Sequence, residues 1–272
     1  MGGAREAETE AVTDAEPLRA RMGRTIVAVV GAIVAVCVSM PARPSAETAV
    51  LSAPFGGTSP VGALFMLTPR GQLEHHFCTA SVVDSPSGDL VLTAAHCMAG
   101  RPWSQIAFVP DYADGKAPYG VWTISRMLVN RQWESSGNPD DDFAFLVVRR
   151  RGSRKSIEDL TGGETIATGA PAGQAVKVVG YPDGLDGLIS CQGTVAAFGA
   201  TQYAFDCAGF TAGTSGSPFL ADVSPVQGLD SVIGVIGGYE NGGFSPSMSY
   251  ATRFNAQLRA LYTVALADSA GS

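Results

Sequence analysis

From residue 50 onward, short runs rich in β-branched and aromatic residues alternate with clusters of glycine, proline, aspartate and asparagine. This pattern constrains the fold more than any other feature of the chain. Many short strands at regular spacing are typical of a β-sandwich or β-barrel, and not of a protein built from βαβ units. A polar stretch at residues 149–163 (RRRGSRKSIEDLTGG) interrupts the pattern. We therefore predict an all-β body in two halves, one on each side of this stretch.

Near the C-terminus the spacing of apolar residues changes. Phe254, Leu258, Leu261 and Val264 recur at steps of three and four residues, as one face of a helix requires. This predicts an α-helix at residues 252–266, and we expect it to pack on the second half of the body.

The charge of the chain argues against nucleic acid as a partner. The formal net charge is -7, and residues 1–46 carry equal numbers of acids and bases, so the whole acidic excess lies in the body. Binding to phosphates needs a basic face, which an acidic body lacks. The hydrophobic content of 46% indicates a globular protein with a sizeable core.

An uncharged, apolar stretch at residues 25–40 follows three arginines and precedes small residues. It is shorter than the roughly 20 residues of a transmembrane helix, and it has the layout of a secretory signal. We predict an N-terminal extension and signal peptide within residues 1–46, and hence a secreted protein. The alternative is an uncleaved anchor that holds the body on the outer side of a membrane.

Four cysteines lie in the body, and four cysteines allow three disulfide connectivities. The near-neighbour pairs, Cys78 with Cys97 and Cys191 with Cys207, each close a loop of moderate length. Export favours disulfides at these positions, and free buried thiols are the alternative. The spacing of the cysteines and histidines resembles no zinc site, so we expect no bound metal.

One histidine and one aspartate are candidates for acid–base chemistry. His96 lies in LTAAHC, where a hydrophobic strand ends beside a cysteine that can hold the chain rigid, as a general base requires. Asp142 in NPDDDFAFLVV begins an apolar strand, where its carboxylate can orient an imidazole. We interpret Asp140 and Asp141 as solvated turn residues. The adjacent histidines at 75 and 76 are interpreted as structural or surface residues on opposite faces of a strand.

The stretch TAGTSGSPFL at residues 211–220 supplies a candidate nucleophile, Ser215, between two glycines. The chain order His96, Asp142, Ser215 is that of chymotrypsin-like enzymes, whereas α/β-hydrolases place the serine first. Ser217 is interpreted as a scaffold residue that leads into the next strand.

Together, the motifs LTAAHC, DDFAFL and GTSGSP, in this order, resemble the trypsin-like (chymotrypsin-fold) serine peptidases. The form GTSGSP and the sequence VVGYP at residues 178–182 are most similar to the bacterial V8-like, glutamyl-endopeptidase branch. The resemblance covers roughly residues 50–265. It implies two six-stranded antiparallel β-barrels, which we place at residues 50–157 and 165–250, with the active site in the cleft between them.

The resemblance also implies roles for individual residues. Ser215 would attack a peptide carbonyl while His96 accepts its proton, and Asp142 would orient the imidazole. The amides of Gly213 and Ser215 would form the oxyanion hole. This mechanism needs no cofactor and no metal ion.

Further along the chain, the segment GVIGGYE resembles the strand that pairs with substrate, and it makes Ile236, Gly237 and Gly238 the predicted substrate-binding residues. Glutamate-specific relatives have a histidine where this chain has Ile236, so we do not expect glutamate specificity. An aliphatic or small residue at the cleavage site is the alternative. Thr214 replaces the aspartate that pairs with a new N-terminal amine in digestive members, and so we do not expect activation by that ion pair.

Two other functions are compatible with the same residues. A non-catalytic peptidase homologue would bind a peptide or surface partner, and a non-peptidase hydrolase would act on small esters. For the leading interpretation, a secreted serine endopeptidase, the expected partners are protein or peptide substrates, and the expected state is a monomer. Contact with a membrane is expected only if the N-terminal segment remains uncleaved.

Overall fold

The structure is a computed structural model that describes residues 50–54, 56–57, 59–221 and 231–270. The apolar stretch at residues 25–40 and the signal peptide or anchor predicted within residues 1–46 lie outside the described residues. Among the helices that are described, none combines the length and the apolar composition needed to cross a membrane.

Strands dominate the described chain, as the alternating pattern predicts. In chain order the strands of the first half, and one short strand before them, are β1 Ala53–Pro54, β2 Val61–Leu67, β3 Leu73–Val83, β4 Leu90–Thr93, β5 Ile106–Pro110, β6 Trp122–Val129 and β7 Ala144–Arg149. Those of the second half are β8 Thr165–Ile166, β9 Ala175–Gly180, β10 Ile189–Thr194, β11 Ala196–Phe198, β12 Gln202–Asp206, β13 Pro218–Ala221, β14 Ser231–Ile236 and β15 Met248–Arg253. The helices are α1 Arg131–Ser136, α2 Glu158–Thr161 and α3 Ala256–Ala270.

The first half is a closed barrel in which six strands pair in the order β2, β3, β4, β7, β6, β5. Because successive side chains in a strand point to opposite faces, each strand contributes to two cores. Phe108 and Leu146 lie inside the barrel. Their neighbours Val109 and Val147 point outward, into a second core that also contains residues of the second half and of α3.

The second half is a curled antiparallel sheet whose longer strands follow the order β10, β9, β13, β14, β15, β12. Short strands β1 and β11 extend its two ends, and β8 runs parallel to β14. Phe205, Phe219 and Ile233 fill its concave side. The structure thus confirms the predicted all-β fold. Strand β15 extends this half beyond its predicted end at residue 250, because residues 251–253 pair with β12 and β14.

Helix α3 begins at Ala256, later than predicted, because Thr252 and Arg253 complete β15. The side chain of Asn255 caps the helix by accepting hydrogen bonds from the amides of Gln257 and Leu258, both at 3.0 Å.

The predicted packing of this helix on the second half was wrong, since α3 lies against the first barrel. Tyr262 stacks on Phe145 of β7 at 5.4 Å between ring centroids. Arg126 of β6 pairs with Asp268 at 3.3 Å. The buried helix face holds Leu258 and Ala265, whereas Val264, predicted on that face, is exposed.

Both near-neighbour disulfides are present. Cys78 on β3 bonds to Cys97 just after β4, and Cys191 on β10 bonds to Cys207 just after β12. Strands β10 and β12 lie toward opposite ends of the curled sheet in pairing order. The second disulfide therefore reinforces a link between these two edges that is also made by backbone hydrogen bonds of Ala208 with Val50 and Ser52, just before β1.

Removing the second disulfide should destabilise the protein without removing an active-site group. Because the bond closes a loop of 16 residues, the double variant Cys191→Ala, Cys207→Ala should lose about 3 kcal/mol of unfolding free energy. Urea denaturation in oxidising buffer measures the loss as a lower midpoint. Equal midpoints for the variant and the wild type would show that the disulfide does not stabilise the curled sheet.

Candidate active site

His96 lies at the rim of the first barrel in a short 3-10 turn, Ala95–Cys97, which follows β4 directly. Cys97 is buried and disulfide-bonded to β3, so the turn has little freedom to move. The imidazole itself keeps 17% of its surface exposed. The local structure therefore holds the histidine rigidly and leaves part of its imidazole exposed to solvent.

Asp142 is fully buried and accepts three hydrogen bonds. Its Oδ1 accepts from the backbone amide of His96 at 2.8 Å. Its Oδ2 accepts from His96 Nδ1 at 2.7 Å and from the amide of Gly238 at 2.8 Å. Because an ionised carboxylate only accepts, Nδ1 must carry the proton, which leaves Nε2 of a neutral ring free to accept one.

The two preceding aspartates are structural, but they are not both solvated as expected. Asp141 is buried, and it accepts from the side chains of Asn138 at 2.7 Å and Asn130 at 3.2 Å. Burial raises the pKa of Asp141, and the hydrogen bond from Asn138 opposes that rise. Asp140 accepts from Gln202 of β12 at 2.8 Å, so this loop also ties the two halves together.

Ser215 lies in a turn that only glycine permits at two positions. Gly213 and Gly216 have φ of 91° and 84°, values that L side chains rarely adopt. A Cβ at Gly216 would lie 2.2 Å from the carbonyl oxygen of Thr79, and one at Gly213 would lie 2.6 Å from the carbonyl oxygen of Tyr181. The two glycines therefore let the turn press against the first barrel and against the segment after β9.

The backbone of this turn leaves two amides free. Within the described residues, the N–H groups of Gly213 and Ser215 donate to no acceptor. The amides of Thr214, Gly216 and Ser217 in the same turn are all bonded. Free amides on a tight turn can receive a negatively charged oxygen.

A cavity of ≈ 360 Å³ opens beside Ser215. The predicted substrate-binding residue Ile236 lines it. Gly237 and Gly238 instead contact Asp142: the amide of Gly238 bonds to Oδ2, and a Cβ at Gly237 would lie 2.9 Å from the same oxygen.

Sequence reasoning missed most of the cavity wall. Glu240, Asn241 and Phe244 also line the cavity, and Glu240 is the only charged residue among the described residues around it. Glu240 and Asn241 both have positive φ, of 51° and 54°. The sequence YENGGF, with its asparagine and two glycines, signalled a tight turn there but not its position beside Ser215.

A second cavity and a cluster of cysteine and histidine side chains resemble binding sites, but their residues do not support that function. A larger cavity of ≈ 570 Å³ beside Arg150 and Lys155 contains none of the predicted site residues. The size of a cavity therefore does not identify the candidate site in this protein. The side chains of Cys78, His96 and Cys97 lie close enough together to hold a metal ion. Because the two sulfurs form a disulfide, neither can serve as a thiolate ligand.

The closed barrel, the curled second sheet and the single long C-terminal helix together form a chymotrypsin-type fold. Residues 78–229 match the trypsin-like peptidase domain. The match spans more than half of the chain, and the chain therefore belongs to the trypsin-like peptidase family. No curated protein sequence matches the chain.

Solved structures agree with this family. Protease Anisep from Arthrobacter nicotinovorans is 26% identical with a TM-score of 0.66, and the match covers 80% of this chain and 100% of that one. Serine protease AL20, from an extremophilic microorganism, is 25% identical with a TM-score of 0.64, covering 77% and 98%. A Glu endopeptidase shares the fold at 19% identity and a TM-score of 0.61, covering 80% and 97%.

A side chain at Gly237 should damage the site. In Gly237→Ala the new Cβ would crowd Asp142 Oδ2 and the Cβ of Ala94, at 2.9 and 3.3 Å, and so displace the carboxylate from His96. We expect kcat/KM for peptide hydrolysis to fall at least about tenfold, the equivalent of ~1.4 kcal/mol. Steady-state kinetics on a peptide mixture measures this.

Gly187→Ala is the matched control, because a Cβ there meets nothing within 4 Å and the backbone is not in the left-handed region. It should keep wild-type activity. Equal kinetics for the two variants would contradict the proposed crowding of Asp142.

Proposed function

We propose that this protein is a secreted serine endopeptidase that hydrolyses peptide bonds through an acyl-enzyme on Ser215. The observation that carries the proposal is the buried Asp142, whose hydrogen bond to Nδ1 leaves Nε2 of His96 available as a base. The serine turn with its two free amides supports the same chemistry.

In the proposed mechanism, Ser215 Oγ attacks the carbonyl carbon of the substrate and its proton passes to His96 Nε2. The amides of Gly213 and Ser215 stabilise the negative charge that develops on the carbonyl oxygen. The imidazolium, stabilised by Asp142, then gives its proton to the leaving amine, and an acyl-enzyme remains. Water, activated by His96 in the same way, releases the acid and restores Ser215.

Secretion is part of the proposal. The protein contains two disulfides. Disulfides persist in an oxidising compartment and are rare in a reducing cytosol. The arginine-preceded apolar stretch at residues 25–40 has the layout of a signal peptide. The mature start, determined by N-terminal sequencing of exported protein, distinguishes a free enzyme from an anchored one.

The nucleophile can be tested with a fluorophosphonate probe, which reacts with an activated serine. We expect the probe to label the wild type and to leave Ser215→Ala unlabelled, with peptidase activity lost in parallel. The control Ser217→Ala, two residues further on, should still be labelled. An unlabelled wild type would instead favour a non-catalytic peptide-binding homologue, and hydrolysis of esters without hydrolysis of peptides would favour an esterase.

The cavity beside Ser215 supports discrimination against acidic residues before the cleaved bond. Its described lining contains no lysine, arginine or histidine, and its one charged group is the carboxylate of Glu240. A substrate glutamate would there lose water without gaining a cationic partner, which costs several kcal/mol.

A mixed peptide library measures this preference. We expect cleavage after aliphatic or small residues to exceed cleavage after glutamate by at least about tenfold, since 1.4 kcal/mol already gives that ratio. Ile236→His is the matched variant: it adds a donor to the cavity wall and should raise cleavage after glutamate relative to the wild type. A wild type that prefers glutamate would contradict the proposed specificity.

A further inference from the structure

The contact between β3 of the first barrel and the serine turn involves Thr79, a fully buried residue outside the predicted site. We propose that Thr79 is a positioning residue that sets the direction of the two oxyanion-binding amides through its hydroxyl group. This inference rests on the proposed function of Gly213 and Ser215.

The hydroxyl of Thr79 has a defined role in the hydrogen-bond network. Its Oγ1 lies 2.9 Å from the amide nitrogen of Tyr181 and 3.1 Å from the carbonyl oxygen of Gly213. An amide N–H can only donate, so the oxygen of the hydroxyl accepts from Tyr181. The single hydroxyl proton is therefore directed to Gly213.

The backbone of Thr79 holds the other side of the same turn. Its amide donates to the carbonyl oxygen of Ser215 at 2.8 Å. Its carbonyl oxygen accepts from the hydroxyl of Thr93 at 2.8 Å, which anchors Thr79 to β4. One residue of the first barrel thus binds the carbonyl groups of both residues whose amides would face the substrate oxygen.

Because peptide groups are planar, these contacts also restrict the directions of the N–H groups of Gly213 and Ser215. The proposed amides belong to the Ala212–Gly213 and Thr214–Ser215 peptide groups. Each peptide group is planar, so the relative direction of the two depends on the Gly213–Thr214 peptide between them. That middle peptide is the one that the Thr79 hydroxyl holds.

The Ala212–Gly213 peptide is held from its other end. The carbonyl oxygen of Ala212 accepts from the amide of Asp183 at 2.6 Å. In a trans peptide the C=O and N–H groups point in opposite directions, so this bond aims the N–H of Gly213 away from Asp183. Tyr181, which donates to Thr79, precedes Asp183 in the same segment. The Thr79 hydroxyl therefore binds the carbonyl group of Gly213 directly, and it also binds the segment that holds the Ala212–Gly213 peptide.

Glycine makes such support necessary. Gly213 has no side chain to limit its backbone, and glycine populates positive and negative φ with similar ease. Without the Thr79 hydroxyl, the Gly213–Thr214 peptide would lose its only described partner on the carbonyl side. Alternative peptide orientations would then compete with the one that aligns the two amides.

Two substitutions at Thr79 separate the hydroxyl from the shape of the residue. Thr79→Val keeps the branched shape and removes the hydroxyl, whereas Thr79→Ser keeps the hydroxyl. Losing one oxyanion donor lowers kcat by about 10²–10³-fold, so we expect misalignment in Thr79→Val to lower kcat per active site about 30-fold with KM within about twofold. Thr79→Ser should restore kcat to within about threefold of the wild type.

Ser81→Ala is the control on the same strand. Ser81 is fully buried, and its hydroxyl has no partner among the described residues. Its removal tests whether loss of any buried hydroxyl from β3 disturbs catalysis, and kcat should not change. Active-site concentrations are measured by fluorophosphonate titration to its end point, so that a smaller folded fraction is not read as a lower kcat.

A second measurement does not depend on catalysis. In ¹H–¹⁵N spectra, Thr79→Val should shift the amide signals of Gly213 and Ser215, while Thr79→Ser and Ser81→Ala leave them near their wild-type positions. If Thr79→Val does not fold, Thr79→Ala measured at 10 °C replaces it with the same criteria.

Three results would overturn the proposal: unchanged amide signals in the valine variant, a kcat within threefold of the wild type, or an equal loss in Thr79→Ser. A wild type that neither hydrolyses peptides nor reacts with the probe would instead refute the proposed function. The amide signals would still decide whether Thr79 positions the turn.

Discussion

The carboxylate of Asp142 is the group on which the site depends. A fully buried charge is strongly unfavourable unless donors surround it, and three N–H groups do so here. Two belong to His96 on the first barrel, and the third belongs to Gly238 just after β14. One ion therefore sets the tautomer of the imidazole and also links the two halves of the body. The absence of a side chain at Gly237 is what lets the carboxylate and the second sheet come this close.

The interface between the two halves has an apolar core at one end and a group of hydrogen bonds at the other, polar end. Val109 and Val147 of the barrel share a core with Val179, Val235 and helix α3, and this burial keeps the halves together. At the polar end the contacts are hydrogen bonds of defined direction, between Asp140 and Gln202, Asp142 and Gly238, and Thr79 and the serine turn. Apolar packing is tolerant of small shifts, whereas these hydrogen bonds are not, and so they fix the geometry of the site.

Sequence patterns predicted the elements whose signal is local. The alternating runs predicted an all-β body in two halves, and the cysteine spacing favoured the two disulfides that the structure contains. The order of His96, Asp142 and Ser215 indicated the family. The errors arose where contacts between distant segments outweigh local pattern. Strand β15 is polar in sequence but lies between β14 and β12, and Val264 fits a helical period yet faces solvent because α3 packs on Phe145.

By itself, the sequence determined the all-β architecture and the residue types that can carry acyl-transfer chemistry, because strand periodicity and side-chain chemistry are properties of short segments. Of the three possible disulfide connectivities, the sequence favoured one without excluding the others. Only the tertiary structure decided which backbone groups surround them. The amides that face Asp142, the free amides of the serine turn and the carboxylate of Glu240 in the cavity wall come from segments far apart in the chain. Every residue has the same backbone N–H and C=O groups, so a sequence does not show which of them a side chain will bind. The hydrogen bond from the Thr79 hydroxyl to the carbonyl oxygen of Gly213 is therefore visible only when the two β-units are packed together.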